Sequence, residues 1–297
     1  MRENYVPSGI FPPASFLIAL LATMVFSLIL AIPYALAIWF IPIAFISILA
    51  PIAWGFLCSL IPGRTITSGH IRNPMVAGLA GFLGSLPGYY LTWCAWANLV
   101  FNMGDTVAIG SGRRAMSVAK SSISLDQLKE LALVPKGLFS LIQSVNEVGL
   151  WSISRSSGNV HGLPLWGVWG VEFLMIVGVT AFLYAARARE PYSEETQRWI
   201  PCLKLGQKLA FPDDLAQLRQ KLDDGDINYL LSAPVEEDIK NSNYLALSVY
   251  QDAAITEAYL DVDAFTLEKK NAHKSNNLSK KLKIRTDLAR ALVNRLS

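Results

Sequence analysis

The chain has 297 residues, 52% of them hydrophobic and only 16% charged, with a mean hydropathy of +0.35. That balance excludes an ordinary soluble globular protein, and a net charge of +3 gives no ground for expecting a nucleic-acid partner. Three cysteines with no CxxC pair, and His70, His161 and His273 on separate segments, exclude a recognisable zinc site or disulfide framework.

From Asn4 to Gly63 the chain carries no Asp, Glu, Lys, Arg or His, a run longer than one bilayer crossing of about 20 helical residues. Pro33, Tyr34, Trp39 and Pro42 read as a tight turn inside it, so the first two spans, near 14–32 and 40–61, form a helical hairpin, with Pro51 kinking the second. The run is too long for a cleavable signal peptide and leads straight into further spans, so it is expected to stay as an anchor. The loop from Pro62 to Pro74 holds Arg64, His70 and Arg72 without an acid, as expected on the cytoplasmic side.

A third span is expected near 75–100. Ala77, Gly81 and Ser85 recur every four residues, with Gly84 and Gly88 on a neighbouring line, and read as an internal packing face rather than a dimerisation face. Tyr89, Tyr90, Trp93 and Trp96 read as interface anchors. The segment 102–163 then lies outside. Ser124 and Gln127 have the capping-box spacing, opening a helix to about Leu133 that Pro135 ends. Beyond it Leu138, Leu141, Ile142, Val145 and Val148 recur at helical spacing, predicting an amphipathic helix that either lies in the outer interface, with Trp151 at headgroup level, or covers the tops of the spans. The glycine-rich basic loop Gly110, Ser111, Gly112, Arg113, Arg114 lacks the strand and helix of a phosphate-binding motif and reads as a solvated turn.

The fourth span, near 165–187, closes at Arg187 and Arg189, which puts both termini in the cytoplasm. Glu172 is the one ionisable side chain well inside a span, and its two readings are a structural hydrogen-bond acceptor or a handler of substrate or protons.

Charges concentrate after Arg187, predicting a membrane all-α part of four helices, 1–187, and a small cytoplasmic α+β domain, 188–297. In the domain Asp213 is expected to cap a helix through Leu215, Leu218 and Leu222 that Gly225 terminates, and Asp226 a second one ending before Pro234. Alternation at Leu245, Leu247 and Val249 predicts a strand, as do Tyr259 to Leu267 and Leu282 to Ile284, with Asn271 to Asn277 as a polar turn between the last two. The basic run that includes Lys269, Lys270, Lys280, Lys281, Lys283 and Arg285 reads either as a contact for anionic lipid or a partner, or as a lysine-protected sheet edge followed by a helix packing Leu288, Leu292 and Leu296.

The stretch R-A-R-E-P-Y-S-E-E-T-Q-R-W from Arg187 to Trp199 resembles an uncharacterised family of bacterial multi-pass inner-membrane proteins. Gly69 to Pro74, Gly149 to Ile153 and Trp169 to Glu172 are similar too. The resemblance implies an inner-membrane location and a zinc-ribbon-like C-terminal region with one cysteine pair at Ser193 and Thr196 and a second near Tyr250 and Ala253. All four positions lack a thiol here, so no zinc is carried over and packing is expected to hold the domain. No cofactor, and no nucleophile with a matched base, is recognisable, so the chain is not read as an enzyme. The expectation is a membrane-anchored interaction or adaptor protein, embedded in the bilayer, that offers a protein partner its cytoplasmic domain. The alternative is a small transporter or channel component.

Overall fold

The computed structural model describes residues 3–41, 44–109, 116–149, 160–268 and 272–297. It divides into two units, residues 9–188 and a second one made of residues 3–8 with Arg189–Ser297. The N-terminal residues therefore belong with the C-terminal domain, not with the helices that follow them.

The first unit is helical. Its elements are α1 (Pro13–Phe40), α2 (Ala44–Leu60), α3 (Arg64–Ser68), α4 (Pro74–Phe101), a hairpin of β1 (Thr106–Ile109) and β2 (Met116–Ala119), α5 (Leu125–Leu133) and α6 (Pro135–Val148). The last helix is continuous from α7 (Leu163–Phe173) through a π-helical turn (Leu174–Gly178) into α8 (Val179–Arg187). Among the described residues three helical stretches, Pro13–Phe40, Leu49–Ser68 and Leu163–Arg187, are long and apolar enough to cross a membrane. This is the signature of a membrane protein.

One expectation about the first spans is corrected. The turn expected at Pro33 to Pro42 is absent up to Phe40, because α1 runs through Pro33 unbroken. In a lipid-facing helix proline removes one hydrogen bond without forcing an end, and Tyr34 is a buried polar contact rather than a turn residue. α1 packs chiefly along α4 and touches α2 as well.

The α1–α4 seam is made by small residues. Ideal Cβ atoms built on Gly84 and Gly88 would lie 2.6 Å from Thr23 Cβ and 2.5 Å from the Ser27 carbonyl, so hydrogen is all that fits between these backbones. Ser27 Oγ donates to the Gly84 carbonyl at 3.0 Å. On the neighbouring line Gly78 and Gly81 face α8, where a Cβ on Gly81 would stand 3.0 Å from the Tyr184 ring. The two lines of small residues thus serve two different helices of one bundle, in keeping with an internal packing face.

Ser124 does precede α5, but its side chain makes no cap bond. Asn98 of α4 instead takes both backbone groups of Ser124, accepting from its N–H at 2.9 Å and donating to its carbonyl at 2.8 Å, and Gln127 Oε1 accepts from Asn102 at 2.6 Å. The capping-box pair is used to fasten α5 to α4. The expected amphipathic helix is α6, with Leu138 buried and Leu141 and Ile142 packed on α4 and α5.

The second unit is built on an antiparallel five-stranded sheet. Its strands are β5 (Cys202–Lys204), β6 (Leu209–Ala210), β7 (Tyr244–Tyr250), β8 (Ala258–Glu268) and β9 (Ala272–Ile284), in the order β5-β7-β8-β9 with β6 also on β7. A small hairpin, β3 (Tyr192–Ser193) with β4 (Arg198–Trp199), precedes it. Leu245, Leu247 and Val249 alternate inward from β7 and meet Leu260 and Val262 of β8 and the helices α9 (Leu215–Asp223), α10 (Asn228–Ser232) and α11 (Thr286–Leu296) through Leu218, Leu222, Leu230, Leu292 and Leu296. This core belongs to the unit alone.

The N-cap of α9 is Asp214, not Asp213, accepting from Ala216 and Gln217 N–H at 2.8 and 3.0 Å, and Gly225 ends the helix at φ +80°. The polar turn expected at Asn271 to Asn277 is strand: residues from Ala272 on pair with β8. Asn276 and Asn277 look like turn residues, but both are exposed residues of an edge strand, where polar side chains are tolerated. That edge is partly covered, because Tyr5 N–H donates to the Lys281 carbonyl at 2.9 Å and Lys283 N–H to the Glu3 carbonyl at 2.8 Å.

Candidate functional site

Glu172 and Tyr34 form a hydrogen-bonded pair inside the helical unit. Tyr34 Oη donates to Glu172 Oε1 at 2.5 Å, and the Tyr34 ring stands edge-on to Trp54 of α2, 5.1 Å between centroids. Phe173 packs edge-on against Tyr89 of α4 at 5.3 Å, and the π-helical turn begins at the next residue. A wider turn inserted into a helix re-aims the side chains around it and recurs at functional positions. One carboxyl with one phenolic donor is a hydrogen-bonded lock between α1 and α7. On the arrangement itself, it also has the parts of a single proton-exchange step. Deeper along the bundle Tyr184 Oη lies 2.6 Å from Thr23 Oγ1 and donates to the Cys58 carbonyl at 3.2 Å, a second tie joining α8, α1 and α2.

The four basic residues singled out from the sequence differ in what holds them. Lys280 is exposed, Lys283 pairs with Glu3 at 3.3 Å and Arg285 pairs with Asp287 at 2.6 Å. Lys281 departs from the expected surface contact, being only 7% exposed. A bulge sets Asp261 opposite Lys280 and Lys281, turns Lys281 to φ +51° and hands its N–H to Asp261 Oδ1 at 2.5 Å. Its ammonium then points inward, donating to the Arg189 carbonyl at 2.7 Å, pairing with Glu190 at 3.3 Å and standing 5.6 Å over the Tyr250 ring. Burial, then Glu190 and Asp261, push the Tyr250 phenol well above its usual range, so it stays a donor, to Asp261 Oδ2 at 3.2 Å. Sequence reasoning missed this centre because alternation along a strand fails at a bulge. The extra residue inverts which side chain faces in.

A cleft of about 610 Å³ opens where the N-terminal residues meet the β3–β4 hairpin and the start of β8. Glu3, Glu194, Glu195 and Glu257 line it with one cation, Lys283, and Tyr5 and Tyr259 form its aromatic wall with rings 5.3 Å apart. Burial, then the carboxylate of Glu257, raises the Tyr259 phenol. Glu195 also accepts from Thr256 Oγ1 at 3.1 Å, tying the hairpin to the strand.

Ser193, Thr196, Tyr250 and Ala253, where the expected resemblance would call for cysteines, offer no metal set. Ser193 Oγ accepts from Thr196 N–H at 3.3 Å, Tyr250 is held by Asp261 and Ala253 has no donor atom, while Ile200, Ile255 and Tyr259 pack around Tyr250. These residues do not fit zinc. Among the described residues no three His, Cys, Asp or Glu stand together as metal ligands. The Gly110 to Arg114 loop, Trp151, Lys269 and Lys270 lie outside the described residues. Compared with known proteins, the chain matches no family model, no curated protein and no solved structure.

Proposed function

We propose that this chain is a four-span membrane anchor presenting its sheet domain to a protein partner in the cytoplasm, in a bacterial inner membrane as the resemblance at Arg187 to Trp199 implies. The observation that carries the reading is the separate core of the domain, which makes it a module with its own surface and cleft rather than a loop of the bundle. The bonds of Glu3 and Tyr5 to β9 support four spans. Such bonds are what a start of chain in the same aqueous compartment as the domain would make, and a chain that leaves and returns crosses an even number of times. The fourth crossing in this reading is α4, as long as α1 and free of charge, with its hydropathy lowered by glycine, proline, tyrosine and asparagine.

Two measurements test the proposal. With Cys202 replaced by serine, Lys120→Cys is expected to react with a membrane-impermeant maleimide on intact cells and Ser275→Cys only after permeabilisation; the reverse pattern inverts the orientation. Deleting Arg189–Ser297 is expected to leave the helices inserted and to abolish recovery of a stoichiometric partner in mild detergent. Solute or ion flux in liposomes that survives the deletion and falls in Glu172→Gln would instead support the transporter reading, which the Tyr34–Glu172 pair beside the π-helical turn favours.

A further inference from the structure

Helices α5 and α6 descend and climb again along the far end of α4. Asn98 fixes the start of α5 through both backbone groups of Ser124, while Tyr90 Oη donates to the Ala132 carbonyl at 3.1 Å and so fixes its end. Eight residues separate these two anchors on α4, about 12 Å of helical rise. The end of α6 returns to the head of α7, where Asn146 Nδ2 donates to the Gly162 carbonyl at 3.1 Å and Gly162 N–H to the Asn146 carbonyl at 3.2 Å. The pair is a helical hairpin whose tip, at Leu133, Val134 and Pro135, points back along α4.

One flank of that hairpin is used. Leu128 and Leu138 are buried against Cys94, Ala95 and Leu99. The other flank is apolar and bare, with Leu133 82%, Val134 50% and Phe139 53% exposed. It is continuous with the outward surface of α7, since the Phe139 ring lies 6.4 Å from that of Trp166, and Leu163, Val168 and Val171 beyond it are also exposed. In a helix that crosses the membrane such outward apolar residues face lipid.

Depth follows from length. The 28 residues of α4 rise about 42 Å, against a hydrocarbon core of about 30 Å, so roughly 12 Å stands beyond the core. With Pro74 at the near boundary, the excess is the stretch after Trp93, and the hairpin tip, level with Tyr90, lies about 5 Å inside the far hydrocarbon boundary. Tyr90, Trp93 and Trp96 supply the aromatic girdle of that level, and exposed Lys136 beside the tip has the stem length to reach the phosphates.

We infer that the α5–α6 hairpin is an interfacial anchor, its Leu133, Val134 and Phe139 flank seated in the edge of the hydrocarbon of the leaflet opposite the domain, with phospholipid as the occupant. The inference rests on the four-span reading above. It gives the far side of the protein a clamp on the bilayer that holds the top of α4 and the start of α7 at one depth.

The full chain, with Cys202 replaced by serine and buried Cys58 and Cys94 kept, is reconstituted in phosphatidylcholine–phosphatidylglycerol vesicles with a nitroxide at one introduced cysteine. For Leu133→Cys and Phe139→Cys the ratio of collision with oxygen to collision with a water-soluble nickel chelate should exceed that for Gln143→Cys, on the exposed polar flank of α6, several-fold. Leu79→Cys, 48% exposed on α4, reads the span itself and should give the highest ratio. Should Leu79→Cys sit in lipid while Leu133→Cys and Phe139→Cys match Gln143→Cys, the anchor is overturned and the four spans stand. A chelate-accessible Leu79→Cys overturns the four-span reading and the inference with it. Spin–spin broadening between copies at Leu133→Cys makes the flank a contact with a second chain and overturns lipid as the occupant.

Discussion

Gly88→Ala is expected to destabilise the helical unit by about 3 kcal/mol, at the upper end for overpacking, because the added methyl meets backbone and not a side chain that can turn away. Its Cβ would lie 2.5 Å from the Ser27 carbonyl carbon and oxygen, and closer than 3 Å something must move. The one available movement is separation of α1 from α4, which also strains the Ser27–Gly84 hydrogen bond and the Thr23 contact one turn away. Without a hydrophobic force between helices in lipid, such close packing is the main source of their association. Gly170→Ala is the matched control, since nothing lies within 4 Å of its Cβ position and alanine is the better helix former by about 0.5–1 kcal/mol. Thermal midpoints in detergent should therefore fall by several degrees for Gly88→Ala and stay level or rise for Gly170→Ala. Equal midpoints would mean that the seam is not where the bundle is held.

Lys281→Ala is expected to cost the domain about 2–3 kcal/mol, less than the 3–5 kcal/mol of breaking a fully buried pair, because Glu190 is 45% exposed and rehydrates. The Arg189 carbonyl loses its donor as well. Lys283→Ala, which breaks a pair with both partners more than 40% exposed, should change stability by less than about 1 kcal/mol. Backbone strain predicts an order within the first site. At φ +51° alanine keeps the left-handed cost that lysine bears, while glycine sheds about 1 kcal/mol of it, so Lys281→Gly should be more stable than Lys281→Ala. Amide hydrogen exchange of β8 and β9 in the full-length protein reads all three variants. If Lys283→Ala opened the strands as much as Lys281→Ala, the buried ammonium would not be the pin.

Much of this was legible in the chain itself. Apolar length marks α1 and α7–α8 as spans, helical spacing finds α6, and period-two alternation finds β7, because each of these signals depends on one face of one element meeting one solvent. The glycine lines of α4 were visible too, as a packing face without a named partner. What the sequence by itself determined, then, is which segments leave water and which face each one buries. Only the tertiary structure decided that α1 seats chiefly on α4, that Pro33 and Tyr34 continue a helix, and that Ser124 and Gln127 fasten rather than cap. It also decided that Lys281 turns inward and that Glu3 and Tyr5 complete a sheet whose other strands lie more than 190 residues away. The physical reason is common to all five. A polar group or a line of small residues shows in sequence only that it needs a partner, and when that partner comes from a distant segment no local pattern records which one it is.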